Sequence, residues 1–175
     1  MPDIIPQILG IFGLVIIVLS FQCKENKNFF LMQGFGSFFF FLNFILIGAY
    51  GGAFFNLSNL VRGLLFLKNP KKIWKLLAVE AVYIFCLIFS IFLDHSAKQI
   101  ILTLIPFSAL IIMSVFMWIG NSKHIRYFQI AYMSPSWIVY NCFNLSIGGI
   151  ICESFNMVSS ALYLIRLKKQ NKKQP

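Results

Sequence analysis

The chain has 175 residues, of which 59% are hydrophobic and only 11% charged, with a mean hydropathy of +0.80. A water-soluble domain of this size cannot hide so much apolar surface, because a globular exterior needs charged and polar groups. The net charge of +10 does not mark a nucleic-acid binder either: the basic residues form short clusters between long apolar runs, with no aromatic and basic platform among them.

The first apolar run is Ile4–Phe21. It carries Asp3 where a signal peptide would be basic. It ends in Ser20-Phe21-Gln22-Cys23-Lys24 rather than in a small-x-small site, so it reads as a retained span. A helix needs about 20 apolar residues to cross the hydrocarbon core. Six further segments fit: Phe29–Gly48, Gly51–Leu67, Trp74–Leu93, Gln99–Gly120, Ile125–Asn144 and Ile147–Arg166. They are apolar all round rather than alternating, which excludes a barrel. The break between the second and third spans rests on Gly48, Gly51 and Gly52. Six spans, with one long kinked second helix, is the competing count.

Charge decides between these counts. With the N-terminus outside, seven spans place Lys24, Lys27, Lys68, Lys71, Lys72, Lys75, Lys123, Arg126, Arg166, Lys168, Lys169, Lys172 and Lys173 on the cytoplasmic side. The outer side holds only Lys98, beside Asp94, and Arg62 lies within a span. Such a division follows the positive-inside rule and predicts a cytoplasmic C-terminus. The basic tail sets topology, and it could also meet anionic lipid headgroups at roughly 1 kcal/mol per basic residue.

The cysteines, Cys23, Cys86, Cys142 and Cys152, have neither CxxC nor metal-ligand spacing, and only Cys23 falls in a loop. No disulfide framework, metal or cofactor is expected.

The sequence repeats internally. Gly51–Lys72 aligns with Gly148–Lys169 at an offset of 97, with eight of 22 positions identical, among them Gly51/Gly148, Gly52/Gly149 and Asn59/Asn156. Upstream, Ser37 faces Ser134, Lys24 faces Lys123, and Ile5-Pro6 faces Ile105-Pro106. The expected fold is therefore all-α: a polytopic membrane protein of seven helices, built as two parallel three-helix repeats. Residues 1–72 form the first repeat, 73–97 a linker helix, 98–169 the second repeat and 170–175 a basic tail. Transporters built from such repeats bind substrate at the repeat interface, near the midplane.

Polar side chains within spans point to that interface, since they are costly in lipid. Asn56, Asn59 and Arg62 recur every three residues along one helical stripe, and their repeat mates are Glu153, Asn156 and Ser159. In span six, Trp137, Tyr140, Asn141 and Asn144 share a face, and Phe40 is the repeat mate of Trp137. Asn59, Asn156, Trp137, Phe40, Asn56, Glu153 and Asn141 are the candidate substrate-binding residues. Hydrogen bonding between helices is the structural alternative for each of them. Arg62 and Glu80 each lie six residues from the inner end of adjoining spans, about 9 Å deep at 1.5 Å per residue. The spacing predicts an ion pair. Glu153 is left without an obvious partner. It is a candidate contact for a cationic solute or a proton carrier, against hydration through an outward-open vestibule.

The runs Ser20–Lys24, Gln33, Gly48-Ala49-Tyr50-Gly51-Gly52, Trp137-Ile138-Val139-Tyr140-Asn141 and Gly148–Arg166 resemble the YgjV-type bacterial inner-membrane family. The layout of three, one and three helices is similar to the SWEET sugar transporters and the PnuC vitamin transporters. In those families, paired asparagines on helices three and seven and tryptophans on helices two and six line the pocket. Asn59, Asn156 and Trp137 match that pattern, with Phe40 where a second tryptophan would stand. The Pro-Gln signature of PQ-loop proteins is displaced: Pro6-Gln7 lies at the outer end of the first span, and Phe21-Gln22 occupies the inner end.

The resemblance implies a transporter or facilitator of a small polar solute, such as a sugar, nucleoside or vitamin-like molecule, working by alternating access. The alternative is a receptor, scaffold or assembly factor on a transporter-like fold. An enzyme is not expected, since HExxH, paired-carboxylate and nucleophile-elbow motifs are missing. The expected partners are the bilayer and the solute, not nucleic acid. Monomer and homo-oligomer both remain open.

Overall fold

The computed structural model describes residues 4–20, 26–67 and 71–171. Cys23, Lys24, Lys68 and the tail beyond Asn171 lie outside them. Among the described residues every regular element is helical: α1 Ile4–Ser20, α2 Asn26–Leu46, α3 Tyr50–Phe66, α4 Ile73–Leu93, α5 Ala97–Ile119, α6 Ser122–Phe128, α7 Ser134–Phe143 and α8 Ile147–Asn171. A π-helical turn, Gln129–Met133, joins α6 to α7, so these three pieces form one rod and the described chain forms seven.

Local chemistry explains the breaks. Gly48 takes φ +75 between α2 and α3, a conformation that costs glycine little because it has no Cβ. The chain reverses there, so the single kinked helix of the six-span alternative is not formed. Pro135 lacks an N–H, and its ring would strike the carbonyl four residues back in a regular helix. The helix answers by widening: the Ser134 N–H bonds to the Gln129 carbonyl, five residues back.

The bundle is inside-out by the standards of a soluble protein. Phe85, Ile88 and Phe92 of α4 are more than 60% exposed, whereas Asn43, Asn141, Ser58 and Ser114 are almost completely buried. Lipid favours this arrangement, because polar groups in the hydrocarbon region must find partners within the protein. Three helices, spanning Ile73–Leu93, Ala97–Ile119 and Ile147–Gln170, are each long and apolar enough to cross a bilayer. α3 has 17 residues, and its inward stripe carries Asn56, Asn59 and Arg62.

Packing follows the repeat. α2 packs on α1 and α3, and α7 packs on α5 and α8. α1 then meets α8, and α3 meets α5, which closes the rods into a ring, with α4 packed on α3 and α5. The first helix of each triplet thus meets the third helix of the other.

Individual contacts obey the same offset of 97 residues. A Cβ on Gly52 would meet Phe44, and one on Gly149 would meet Asn141, which is the repeat mate of Phe44. Gly51 closes on Thr103 of α5 and Gly148 on the Gly10 backbone of α1; both glycines meet the first helix of the other triplet, though Thr103 and Gly10 are not themselves mates at that offset. Ser146 donates to Asn43 at 2.8 Å, and Tyr140 donates to the carbonyl of Ala49 at 3.3 Å; both pairs, 43/140 and 49/146, are repeat mates. Reciprocal contacts of this kind are what a two-fold axis through the ring produces.

The Gly10–Gly148 crossing brings backbone against backbone, so nothing flexible can give way. A Cβ at Gly148 would lie 2.5 Å from the Gly10 carbonyl carbon, whereas one at Gly63 meets nothing within 4 Å. Gly148→Ala is expected to lower stability by about 1–3 kcal/mol, as overpacked sites do. Gly63→Ala should be neutral or stabilising by up to about 1 kcal/mol. Thermal unfolding in detergent checks the pair; equal melting temperatures would contradict the close crossing.

Candidate functional site

Six rods leave one large cavity between them, of about 510 Å³. Its inner wall is aromatic. Phe44 stands 6.1 Å from Trp137 and 5.8 Å from Tyr140, ring centre to ring centre, and Trp137 and Tyr140 are 5.7 Å apart. From this floor the cavity runs past Asn56, Asn59, Glu153 and Asn156 to Arg62, Ser122, Arg126 and Ser160. Ser122 begins α6, so the cavity reaches the end of the bundle that carries Lys71, Lys72, Lys123 and Lys168. We call this the basic end.

The opposite end is closed by side chains reaching across the repeats. The Gly52 N–H, one of the free donors in the first turn of α3, bonds to the Tyr140 hydroxyl at 2.7 Å. α3 has no side-chain cap of its own. Gln7 of α1 does the same for α8: its carbonyl oxygen accepts from the Ile147 N–H at 3.0 Å, and its amide donates to the Leu145 carbonyl at 2.8 Å. Leu145 sits at φ 55, in the tight turn that Gln7 stabilises. Bonds within each repeat add to these: Asn43 donates to the Pro6 carbonyl at 2.6 Å, and Gln99 donates to Asn144 at 2.6 Å.

All seven residues singled out as a substrate site line this one cavity: Phe40 and Trp137, Asn56 and Asn59, Asn141, Glu153 and Asn156. Their partners differ. The Asn59 oxygen accepts from the Tyr83 hydroxyl of α4 at 2.6 Å. Asn56 donates to its own helix at Gly52. The Asn141 side-chain oxygen is buried with no hydrogen-bond partner, and it belongs to a residue that lines the cavity. Tyr140 and Asn144, read as sharing the face of Trp137, serve the closed end instead.

Three expectations change. Glu153 does have partners: Ser134 donates to it at 2.7 Å, Gln129 donates at 3.5 Å, and Asn156 adds a further side-chain hydrogen bond. Gln129 and Ser134 bracket the π turn, so the widened helix brings both toward α8. The cavity also reaches Glu153 from the basic end, not through an outward vestibule. Finally, Arg62 and Glu80 do not form the expected contact pair. The charge of Arg62 acts on Glu80 through space. Yet both Glu80 oxygens and Nη1 of Arg62 are buried without a hydrogen-bond partner. The two helices place the groups near each other, but Arg62 is drawn to the cavity wall.

A family model described as Imp-YgjV, bacterial inner membrane protein, matches residues 4–171. The chain belongs to this family. Comparison with curated proteins and with solved structures finds no match. Membership of Imp-YgjV places the chain in the bacterial inner membrane, as the apolar exterior requires.

Gln7, Asn43, Gln129 and Ser134 escaped the sequence reading. Ser134 had a signal, as the repeat mate of Ser37. Asn43 had one too, as the mate of Tyr140, but it stands in a run of phenylalanines that reads as lipid-facing.

Removing the Tyr140 hydroxyl leaves the Gly52 N–H buried and unbonded. Tyr140→Phe is therefore expected to cost about 1–3 kcal/mol, the desolvation penalty of such a group. A melting temperature equal to the parent's would show that the hydroxyl does not hold the closed end.

Proposed function

We propose that this Imp-YgjV protein is a transporter or facilitator that moves a small polar solute across the inner membrane by alternating access. The observation that carries the reading is the cavity of about 510 Å³, open toward the basic end and stopped by an aromatic floor and a polar lock at the other. Its size lies within the range of small-molecule sites, about 300–1,000 Å³. Its walls combine amides, which bond to hydroxyls or a base edge, with Trp137, which stacks on a ring. That chemistry suits a sugar, nucleoside or vitamin-like solute.

The proposed orientation is N-terminus out and C-terminus in, by the positive-inside rule. The cavity then faces the cytoplasm. Rocking of the two units about the ring axis would break the Tyr140 and Asn43 bonds and expose the same residues to the other side. No catalytic step is proposed. A scaffold on this fold would have no need of a polar chamber half-way through the bundle, and a receptor would have no need for its closed end to open.

A thermal-shift screen of the purified protein against sugars, nucleosides and vitamins tests the reading, because a ligand stabilises the state it binds. At least one compound is expected to raise the melting temperature, and Asn156→Ala should abolish that shift while the unliganded protein stays folded. A ligand whose shift survives Asn156→Ala, Asn59→Ala and Trp137→Ala would bind elsewhere and count against this site.

A further inference from the structure

The cavity carries two cations that the binding of a neutral solute does not use. Arg62 of α3 and Arg126 of α6 both line its wall. They stand at a similar level. Arg62 is six residues beyond Asn56, about 9 Å along its helix. Arg126 donates to Ser160 at 3.4 Å, and Ser160 is seven residues beyond Glu153, the repeat mate of Asn56. Both therefore lie toward the mouth, beyond the ring of amides.

We infer that the transported solute bears an anionic group, a carboxylate or phosphate, which Arg62 and Arg126 hold at the mouth while the rest of the molecule faces Trp137 and Phe40. The inference rests on the transport reading and narrows its solute class. Arg62 lines the cavity, and its Nη1 is buried with no hydrogen-bond partner, so its guanidinium is not fully engaged by the protein. Neither Glu80 oxygen accepts a hydrogen bond, so Glu80 holds none of the Arg62 donors. Arg126 is steadied from one side only, by Ser160 and by the Tyr163 ring 5.3 Å from its guanidinium carbon. Glu153 is the carboxylate among the described lining residues, and Ser134, Gln129 and Asn156 already engage it. Guanidinium forks match the geometry of carboxylate and phosphate oxygens, which a hydroxyl-only solute does not offer.

The test uses Gly63, which lines the cavity next to Arg62 and has open space around its Cβ. Gly63→Cys, in a chain whose four native cysteines are replaced by alanine, is labelled with anionic sulfonatoethyl, cationic trimethylammonioethyl and neutral hydroxyethyl methanethiosulfonates. Rates are normalised to those of free cysteine. The anionic reagent is expected to outpace the cationic one by about tenfold or more, the gain that a charged cleft gives a counter-ion. Arg62→Gln should bring the ratio close to one.

A neutral reagent that fails to label the folded protein would overturn the open cavity, and the transport reading with it. Neutral labelling without an anion preference, or with one that Arg62→Gln leaves intact, would overturn the anionic solute alone. Phosphatidylcholine vesicles with and without phosphatidylglycerol separate the two sources of anion. An unchanged preference supports a soluble solute; a preference lost with phosphatidylglycerol assigns the pair to a lipid headgroup and overturns the proposal. Should the cysteine-free chain not fold, iodide quenching of tryptophan emission in the native chain carries the same test. Arg62→Gln must then reduce iodide quenching while acrylamide quenching stays constant, and equal iodide quenching would refute the inference.

Discussion

Two helices, α3 and α8, begin in the middle of their repeats at the closed end of the bundle, and neither can leave its first amide groups unbonded in lipid. The rest of the structure follows from how they are satisfied. The Gly52 N–H takes the Tyr140 hydroxyl from the other repeat, and the Ile147 N–H takes Gln7 from the other repeat. Each unit therefore completes the hydrogen bonding of its partner. Neither three-helix unit satisfies all of its own polar groups at this end, and the bilayer supplies no water to substitute. The same arrangement forces close packing: Gly148 must lie on Gly10, and Gly149 must leave room for Asn141.

Symmetry sets the frame, and departures from symmetry give the cavity its chemistry. Phe40 faces Trp137, Asn56 matches Glu153, and Arg62 matches Ser159. A perfectly repeated wall would present the same groups twice and bind a symmetric molecule. Instead α3 offers the cation Arg62 where α8 has a serine, and α8 offers the carboxylate Glu153 where α3 has an amide, the carboxylate bonded by Ser134 beside the π turn at Gln129–Met133. Asn59 and Asn156 keep the pattern on both sides, although only Asn59 is tied to α4 through Tyr83.

Much of this was legible in the sequence. Apolar runs narrowed the count to six or seven rods, because lipid demands length and composition together, and the charge distribution favoured seven. The offset of 97 linked Gly51 with Gly148, Gly52 with Gly149 and Asn59 with Asn156, and the glycines of both pairs stand at close crossings. Spacing of three along α3 and α8 put Asn56, Asn59, Glu153 and Asn156 on the cavity lining, and the shared face of span six with its repeat mate added Trp137, Asn141 and Phe40. What sequence could not reveal depends on distances across the ring. The donors to Glu153 come from a helix widened by Pro135, a geometry that regular periodicity does not anticipate. The Arg62–Glu80 pair looked inevitable from depth alone. Depth says nothing of azimuth, and Arg62 turns toward the cavity rather than toward α4.

The account stands or falls on whether the closed end opens. Ser146 is fully buried there, bonded to Asn43. Modification of Ser146→Cys by a membrane-impermeant thiol reagent, in proteoliposomes of the cysteine-free chain, reports that opening directly. The proposed alternation predicts slow but complete labelling, at a rate that levels off as reagent concentration rises because opening becomes limiting. A cysteine that stays unmodified in folded, reconstituted protein would mean that the lock never opens, and that the cavity is a binding pocket rather than half of a transport path.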